Sequence, residues 1–138
     1  MIVVAQIAVK LDNRYLLIQR ALVDSYGGLW ALPGGGQDDN ETVEKAASRE
    51  LQEEVGIVPT KLTELFQIRS AQDNKEYLTH IFLCRQFTGS PYPATEDIMG
   101  FGWFTIPEIW KLDTSLTPWI MKCLPQLSFL VRHDHRSS

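Results

Sequence analysis

The chain opens on an apolar, β-rich run, MIVVAQIAVK, and Ile2 to Leu11 reads as a core strand. Asp12-Asn13-Arg14 is a turn signal, and Tyr15 to Ala21 is a second strand, so the two predict a hairpin. Leu22 to Leu29, with Gly27-Gly28, reads as a loop. Trp30-Ala31-Leu32 makes a short strand that Pro33-Gly34-Gly35-Gly36 should break. The apolar spacing then becomes helical from about Thr42 to Val55, with Asn40 a candidate N-cap and Gly56 the stop. Lys61 to Ala71 and Glu76 to Phe87 flank Asp73-Asn74-Lys75 and read as two long antiparallel strands. Thr88 to Gly100 is a loop, Phe101 to Thr105 a short strand, and Pro107 to Leu112 a short helix with proline at its first position. Thr117 to Val131 is a last helix, bent or broken near Pro125. Residues 1–132 form one domain, and 133–138 form a polar tail that frays.

Strands with one helix inserted midway and another at the end imply a mixed sheet covered by helices, an α+β or α/β layering. A length of 138 residues fits one such domain. The formal net charge of -4 argues against a nucleic-acid polymer as partner, but leaves a single nucleotide open, because bound metal offsets local charge. Only two cysteines occur, Cys84 and Cys123, both in apolar surroundings, so a disulfide framework is not expected and a reducing cytoplasm fits. No run is long enough to span a membrane.

Composition says little about chemistry; the helix says more. Its last turns carry Glu50, Glu53 and Glu54. At about 100° per residue from Glu50, Leu51 falls near 100°, Val55 near 140° and Ala47 near 60°. Glu54 lands at about 40°, inside that apolar arc, and Glu53 at about -60°, beyond Ala46 at about -40°. Lys45, Ser48, Arg49 and Gln52 take the outward side. A purely solvated face would have rotated these carboxylates away from the core, where like charges repel and burial costs more. Arg49 can pair with Glu53 at i, i+4, but one arginine does not neutralise three glutamates. Either a structural ion network or a divalent metal compensates, and hard Mg²⁺ favours carboxylate oxygens and shares its shell with phosphates.

Upstream residues decide between these. GGGQDDNETVEKAASRELQEEVGI holds Gly35, five residues, Glu41, seven residues, then Arg49-Glu50-Leu51-Gln52-Glu53-Glu54-Val55-Gly56-Ile57. This resembles a complete Nudix box, and Trp30-Ala31-Leu32-Pro33-Gly34 looks like the family's lead-in. The later Gly102-Trp103-Phe104 and Pro107-Glu108-Ile109 extend the similarity over nearly the full length. The resemblance implies an α/β/α sandwich around a mixed sheet. It implies Mg²⁺- or Mn²⁺-dependent hydrolysis of a nucleoside diphosphate linked to another group, by a monomer or homodimer. By position, Glu53 and Glu54 would be metal ligands, Glu50 a ligand or the base that orients water, and the Gly34 carbonyl a further ligand. Glu41 and Arg49 would brace loop and helix. Glu96, or next Asp97, would add a late-loop ligand. Asn40 stands where many relatives have glycine, and asparagine tolerates the left-handed conformation.

The substrate is less legible. After Pro59 no proline appears until Pro91, so a marker of ADP-ribose relatives is missing, and Leu112 to Thr117 lacks the Asn used by relatives that read oxidised guanine. The length favours (d)NTPs over larger dinucleotides, with ADP-ribose or nucleotide sugars as the alternative and a non-catalytic nucleotide sensor behind both. Arg20, Arg69 and Arg85 read either as phosphate or substrate contacts or as solvated strand arginines. Tyr26, Phe66, Tyr77 and Phe101 either stack a base or pack the core. His80 reads as a buried, hydrogen-bonded strand residue. His133 and His135 resemble a metal pair by spacing alone, and Asp38-Asp39-Asn40-Glu41 hints at calcium without a full EF-hand loop.

Overall fold

A computed structural model describes residues 1–23 and 25–133. Strand β1 (Ile2–Leu11) turns through Asp12, at φ 54°, into β2 (Arg14–Arg20). The hairpin is short-lived: only Lys10↔Tyr15 and Leu11↔Arg14 pair, and the strands then part. The segment that follows fills the wedge. Strand β3 (Trp30–Ala31) pairs with β2, and β4 (Gly34–Gly36) pairs antiparallel with β1 at Val4↔Gly36, Ala5↔Gly35 and Gln6↔Gly34. The short strand at Trp30 does end ahead of Pro33, as expected; what was not expected is that the glycines then form a strand of their own. A Cβ on Gly34 would lie 2.2 Å from the Ala5 carbonyl oxygen, so only glycine lets the backbone approach β1 this closely.

Helix α1 (Val43–Val55) is capped by Thr42, whose Oγ1 accepts from Lys45 N at 3.1 Å. Asn40 is not the cap: its φ of 66° is left-handed, whereas a cap needs an extended residue next to the first turn. Gly56, at φ 70°, ends the helix as expected. A two-residue pair, β5 (Val58–Pro59) with β8 (Phe87–Thr88), brackets the long hairpin of β6 (Thr63–Gln72) and β7 (Lys75–Cys84). That hairpin turns on Asp73 and Asn74, both at positive φ. β7 also runs parallel to β1.

Strand β9 (Ile98–Thr105) starts earlier than the Phe101 expected, because the free edge of β2 pairs with it as far as Arg20↔Ile98, through a bulge. Thr105 and Glu108 form a capping box for α2 (Ile106–Leu112), which places Pro107 second rather than first. The last helix is broken near Pro125, as expected, but it does not begin at Thr117. A 3₁₀ turn at Asp113–Ser115 and another at Ile120–Lys122 precede α3 (Leu124–His133). Pro125, lacking an N–H, fits a first turn but not an interior, so the helix begins there. The tail beyond His133, with His135, lies outside the described residues.

The sheet runs β3-β2-β1-β7-β6, with β4 on β1 and β9 on β2, and is mixed. Ala46, Ala47, Leu51 and Val55 of α1 pack on one face against Ala5, Ile7, Val9, Leu16 and Phe82. Ile109, Ile120, Leu124 and Leu127 cover the other, against Ala8, Tyr15, Leu17 and Ile81. Covered on both sides, β1 is buried from Ala5 to Lys10. Cys84 and Cys123 are free and sit in opposite layers. No helix among the described residues is long and apolar enough to cross a membrane.

Candidate functional site

The site forms where the C-terminal half of α1 passes over β4. Its hub is Arg49, with 26% of the side chain exposed. One guanidinium nitrogen donates to Glu41 at 2.8 Å and to the Gly36 carbonyl at 2.9 Å, and another to Glu50 at 3.0 Å and Glu53 at 3.2 Å. Asp38 lies 3.4 Å from Arg49 Nε. Glu41 also accepts from Asp38 N at 2.7 Å, which folds the loop before the helix. Hydrogen bonding from Arg49, then from Asp38 N, holds the Glu41 carboxyl below its ordinary pKa. Arg49, in turn, is raised, first by Glu41 and also by Glu53 and Glu50, so it stays charged.

The three box glutamates end in different settings. Glu53, placed at the edge of the apolar arc by helix geometry, is exposed at 56% and held by Arg49. The Glu50 side chain is 14% exposed, and desolvation raises its pKa against the pull of Arg49. Glu54 is the most stranded. Its carboxylate accepts from Gly34 N at 2.9 Å, yet burial pushes its pKa to about 8, with Glu50 and Glu53 adding to the rise and Gly34 N–H and Arg20 opposing it. Gly35 is indispensable in another way: a Cβ there would sit 2.5 Å from the Glu50 carboxyl.

Do these residues suit a divalent cation? The donor set is all oxygen, and two of its carboxylates are stripped of water without a full complement of donors, a cost that a hard cation offsets. As the side chains stand, Glu50 and Glu53 are drawn to Arg49 and Glu54 to Gly34 N–H. No group of three or more His, Cys, Asp or Glu side chains among the described residues is arranged to hold an ion. Glu96 and Asp97 are exposed. Their loop docks on the end of α1, with Ala94 N bonded to the Glu54 carbonyl at 2.9 Å and Tyr92 N to that of Val55 at 3.1 Å.

From β4 a cleft of about 380 Å³ opens across the sheet face that α3 leaves uncovered. Of the residues singled out in the sequence, Arg20, Tyr26 and Tyr77 line it, together with Gly34 and Glu54. Arg69 and Arg85 do not; Arg69 reaches Met1 Sδ at 3.7 Å, and Arg85 is exposed. Phe66 and Phe101 pack against the two cores. His80 is largely buried on the opposite face and bonds Glu64 at 2.6 Å. Sequence reasoning missed Trp119. Tyr26 meets its ring edge-on at 4.9 Å, and the Arg20 guanidinium lies 5.8 Å over it. It also missed Gln6, although a lone polar residue inside Ile2–Val9 was a visible signal.

An α/β/α sandwich with a glycine strand facing an arginine-bound glutamate helix defines a class of domain, and the comparisons name it. The model described as NUDIX domain matches residues 1–127, and the chain belongs to that family. The 8-oxo-dGTP diphosphatase of Proteus vulgaris is 40% identical over 84 residues, 61% of this chain and 66% of that protein. The ADP-ribose pyrophosphatase of Methanocaldococcus jannaschii is 32% identical over 106 residues, 75% of this chain and 62% of that protein. The chain thus spans just under two thirds of the length of these relatives. A solved structure of a MutT NUDIX hydrolase from Burkholderia pseudomallei is 31% identical, with a TM-score of 0.81, over 90% of this chain and 95% of that one.

Proposed function

We propose that this domain is a divalent-metal-dependent diphosphohydrolase that cleaves the diphosphate linkage of a nucleoside diphosphate derivative, with (d)NTPs as the favoured substrates. The observation that carries the reading is the half-buried pair Glu50 and Glu54, set against a glycine strand at the mouth of a cleft wide enough for a small ligand. Glu53, Glu54 and the Gly34 carbonyl would hold Mg²⁺ or Mn²⁺, with Glu50 a further ligand or the base that orients water. Glu96 is the late-loop candidate, with Asp97 next. Bound there, the metal would supply charge neutralisation at the diphosphate oxygens and a lowered pKa for water, so that hydroxide is available near neutral pH.

The chain's own residues do the rest. Arg49 and Glu41 hold the helix against the loop that carries Gly36, so the carboxylates keep their spacing. Arg20 supplies positive charge on the cleft wall, where a phosphate would lie. Trp119 and Tyr26 offer aromatic surface for a base. The relative named 8-oxo-dGTP diphosphatase supports a triphosphate, and the one named ADP-ribose pyrophosphatase supports the alternative. Buried free thiols suit a reducing cytoplasm.

The test is Glu53→Gln, with hydrolysis of (d)NTPs and ADP-ribose measured beside circular dichroism. Glu53 is exposed, so the variant should fold normally. Turnover should fall at least about 100-fold, the scale of losing one electrostatic group at a reacting phosphate. A folded variant with undiminished turnover would end the proposal.

A further inference from the structure

Gln6 is a polar residue in an apolar strand, and it is 8% exposed. It sits between Gly34 of β4 and Ile81 of β7, with its side chain lining the cleft beside the glycine strand. A second chamber of about 100 Å³ continues from the cleft toward Lys122 and Cys123, and Gln6 lines that too. Its amide makes no hydrogen bond among the described residues. The side chain opens on the cleft, so water or a ligand held there is what completes its hydrogen bonds. A ligand that displaces that water has to match both the donor and the acceptor of the amide.

The surroundings define such a ligand. Thr79 and Ser70, on the neighbouring strands β7 and β6, line both chambers, and Gln72 follows at the end of β6. The floor is therefore uncharged, polar and spread over adjacent strands. Trp119 faces the same space and provides a flat apolar surface. The only carboxylate among the described lining residues is Glu54, at the glycine end. A planar heteroaromatic ring with a hydrogen-bond donor next to an acceptor fits this lining, since a glutamine amide offers one of each. A phosphate or a bare sugar does not need the stacking surface.

We infer that Gln6 is the specificity-determining residue of the cleft, pairing through its amide with the donor–acceptor edge of a nucleobase stacked on Trp119. This rests on the proposed diphosphohydrolase reading and adds to it the group that reads the base.

The experiment uses the full chain with Mg²⁺ and measures kcat/KM on the four standard dNTPs and on an abasic deoxyribose triphosphate, for wild type, Gln6→Leu and Gln6→Glu. Calorimetric binding of the same ligands runs beside it. Gln6→Leu keeps much of the volume and removes both hydrogen bonds. It should lower kcat/KM about tenfold on the best base, through KM, while the abasic substrate is unaffected. Gln6→Glu can only accept, so preference should move toward guanine, whose edge presents neighbouring N–H donors. A Gln6→Leu profile that keeps the wild-type ranking overturns the inference, as does a wild type that treats all bases alike. Should neither a triphosphate nor ADP-ribose turn over, the hydrolase reading fails by itself. Gln6 is then decided by binding: a tenfold loss for nucleotides alone supports its role, and unchanged affinities refute it.

Discussion

The glutamate end of α1 and the cleft beside it are adjacent, yet they are built in opposite ways. The first is local. Glu41, Arg49, Glu50, Glu53 and Glu54 belong to one loop and one helix, and their contacts reach no further than the adjoining glycine strand. The second is assembled from five separate stretches: Gln6 on β1, Arg20 and Tyr26 at and beyond the end of β2, Ser70 and Gln72 on β6, Tyr77 and Thr79 on β7, and Trp119 before α3. The local region is charged and strained by burial, whereas the assembled one is neutral on its floor and aromatic on its wall. The proposed hydrolytic chemistry, which must be held to a fixed spacing, would sit on one rigid element. The proposed base recognition, which has only to fit a ring, would be spread across the sheet. Arg20 touches both, stacking on Trp119 and opposing the rise in the Glu54 pKa.

The largest effects should separate two neighbouring glycines. In Gly34→Ala the new Cβ meets backbone, 2.2 Å from the Ala5 oxygen and 2.8 Å from Gln6 Cα. Strand β4 would have to leave β1, so we expect a loss of roughly 4 kcal/mol or more in urea unfolding, or no soluble protein. In Gly35→Ala the nearest atoms to the Cβ all belong to the carboxyl end of Glu50, a side-chain tip rather than backbone. This variant should fold with nearly normal stability but lose roughly 100-fold in kcat. Equal losses of stability in the two would show that the glycine strand has one role rather than two.

Trp119 tests the other region. Base–aromatic stacking is worth about 1–3 kcal/mol, so Trp119→Ala should raise KM for nucleotides roughly tenfold or more, with kcat little changed. Trp119→Phe should recover most of that loss. A fall in kcat with KM unchanged would mean that the aromatic wall serves the glutamate end, and the division between the regions would not hold.

What could be read in advance follows the same division. Helix α1, its Gly56 stop and its inward-leaning Glu54 follow from 3.6-residue spacing within a dozen positions. The Asp12 and Asp73-Asn74 turns follow from residue type alone. The glycine strand was not legible, because glycine carries no side-chain pattern and its pairing depends on the gap that β1 and β2 leave. Trp119 was passed over because it acquires meaning only from neighbours distant in sequence; Gln6 stood out as a lone polar residue in an apolar strand, but what it faces is set by distant strands. At the end of the chain the break near Pro125 was legible from the proline, whereas the non-helical stretch from Thr117 was not, since its apolar spacing continues into that of α3.

Acid–base behaviour should again distinguish the regions. In chelator, the folded protein holds a proton on Glu54 up to about pH 8, whereas the unfolded chain releases it near 4.5. Between those values the native state binds more protons, so this group's contribution to stability is greatest below about 4.5 and is lost as pH rises toward 8. The melting temperature of metal-free wild type should therefore decline from pH 5 to 8 more steeply than that of Glu54→Gln. Added Mg²⁺ should restore more stability at pH 8 than at 5. Parallel curves for the two proteins would show that Glu54 is not strained as its burial implies. Trp119→Ala, acting in a neutral region, should leave the wild-type slope intact.

The smallest expected effect probes how far the glutamate region depends on the helix that carries it. Thr42 caps α1 a full turn and more before Arg49, and losing such a cap costs about 1 kcal/mol. Thr42→Ala should lower the melting temperature by a few degrees. Its kcat should remain within about twofold of wild type, because Arg49 ties the helix to Gly36 and Glu41 independently of the cap. Asn40→Gly, at a position already left-handed, is the matched control and should change neither quantity noticeably. If the capping mutant lost turnover in proportion to stability, the arginine hub would not be what fixes the carboxylates, and their spacing would depend on the whole helix.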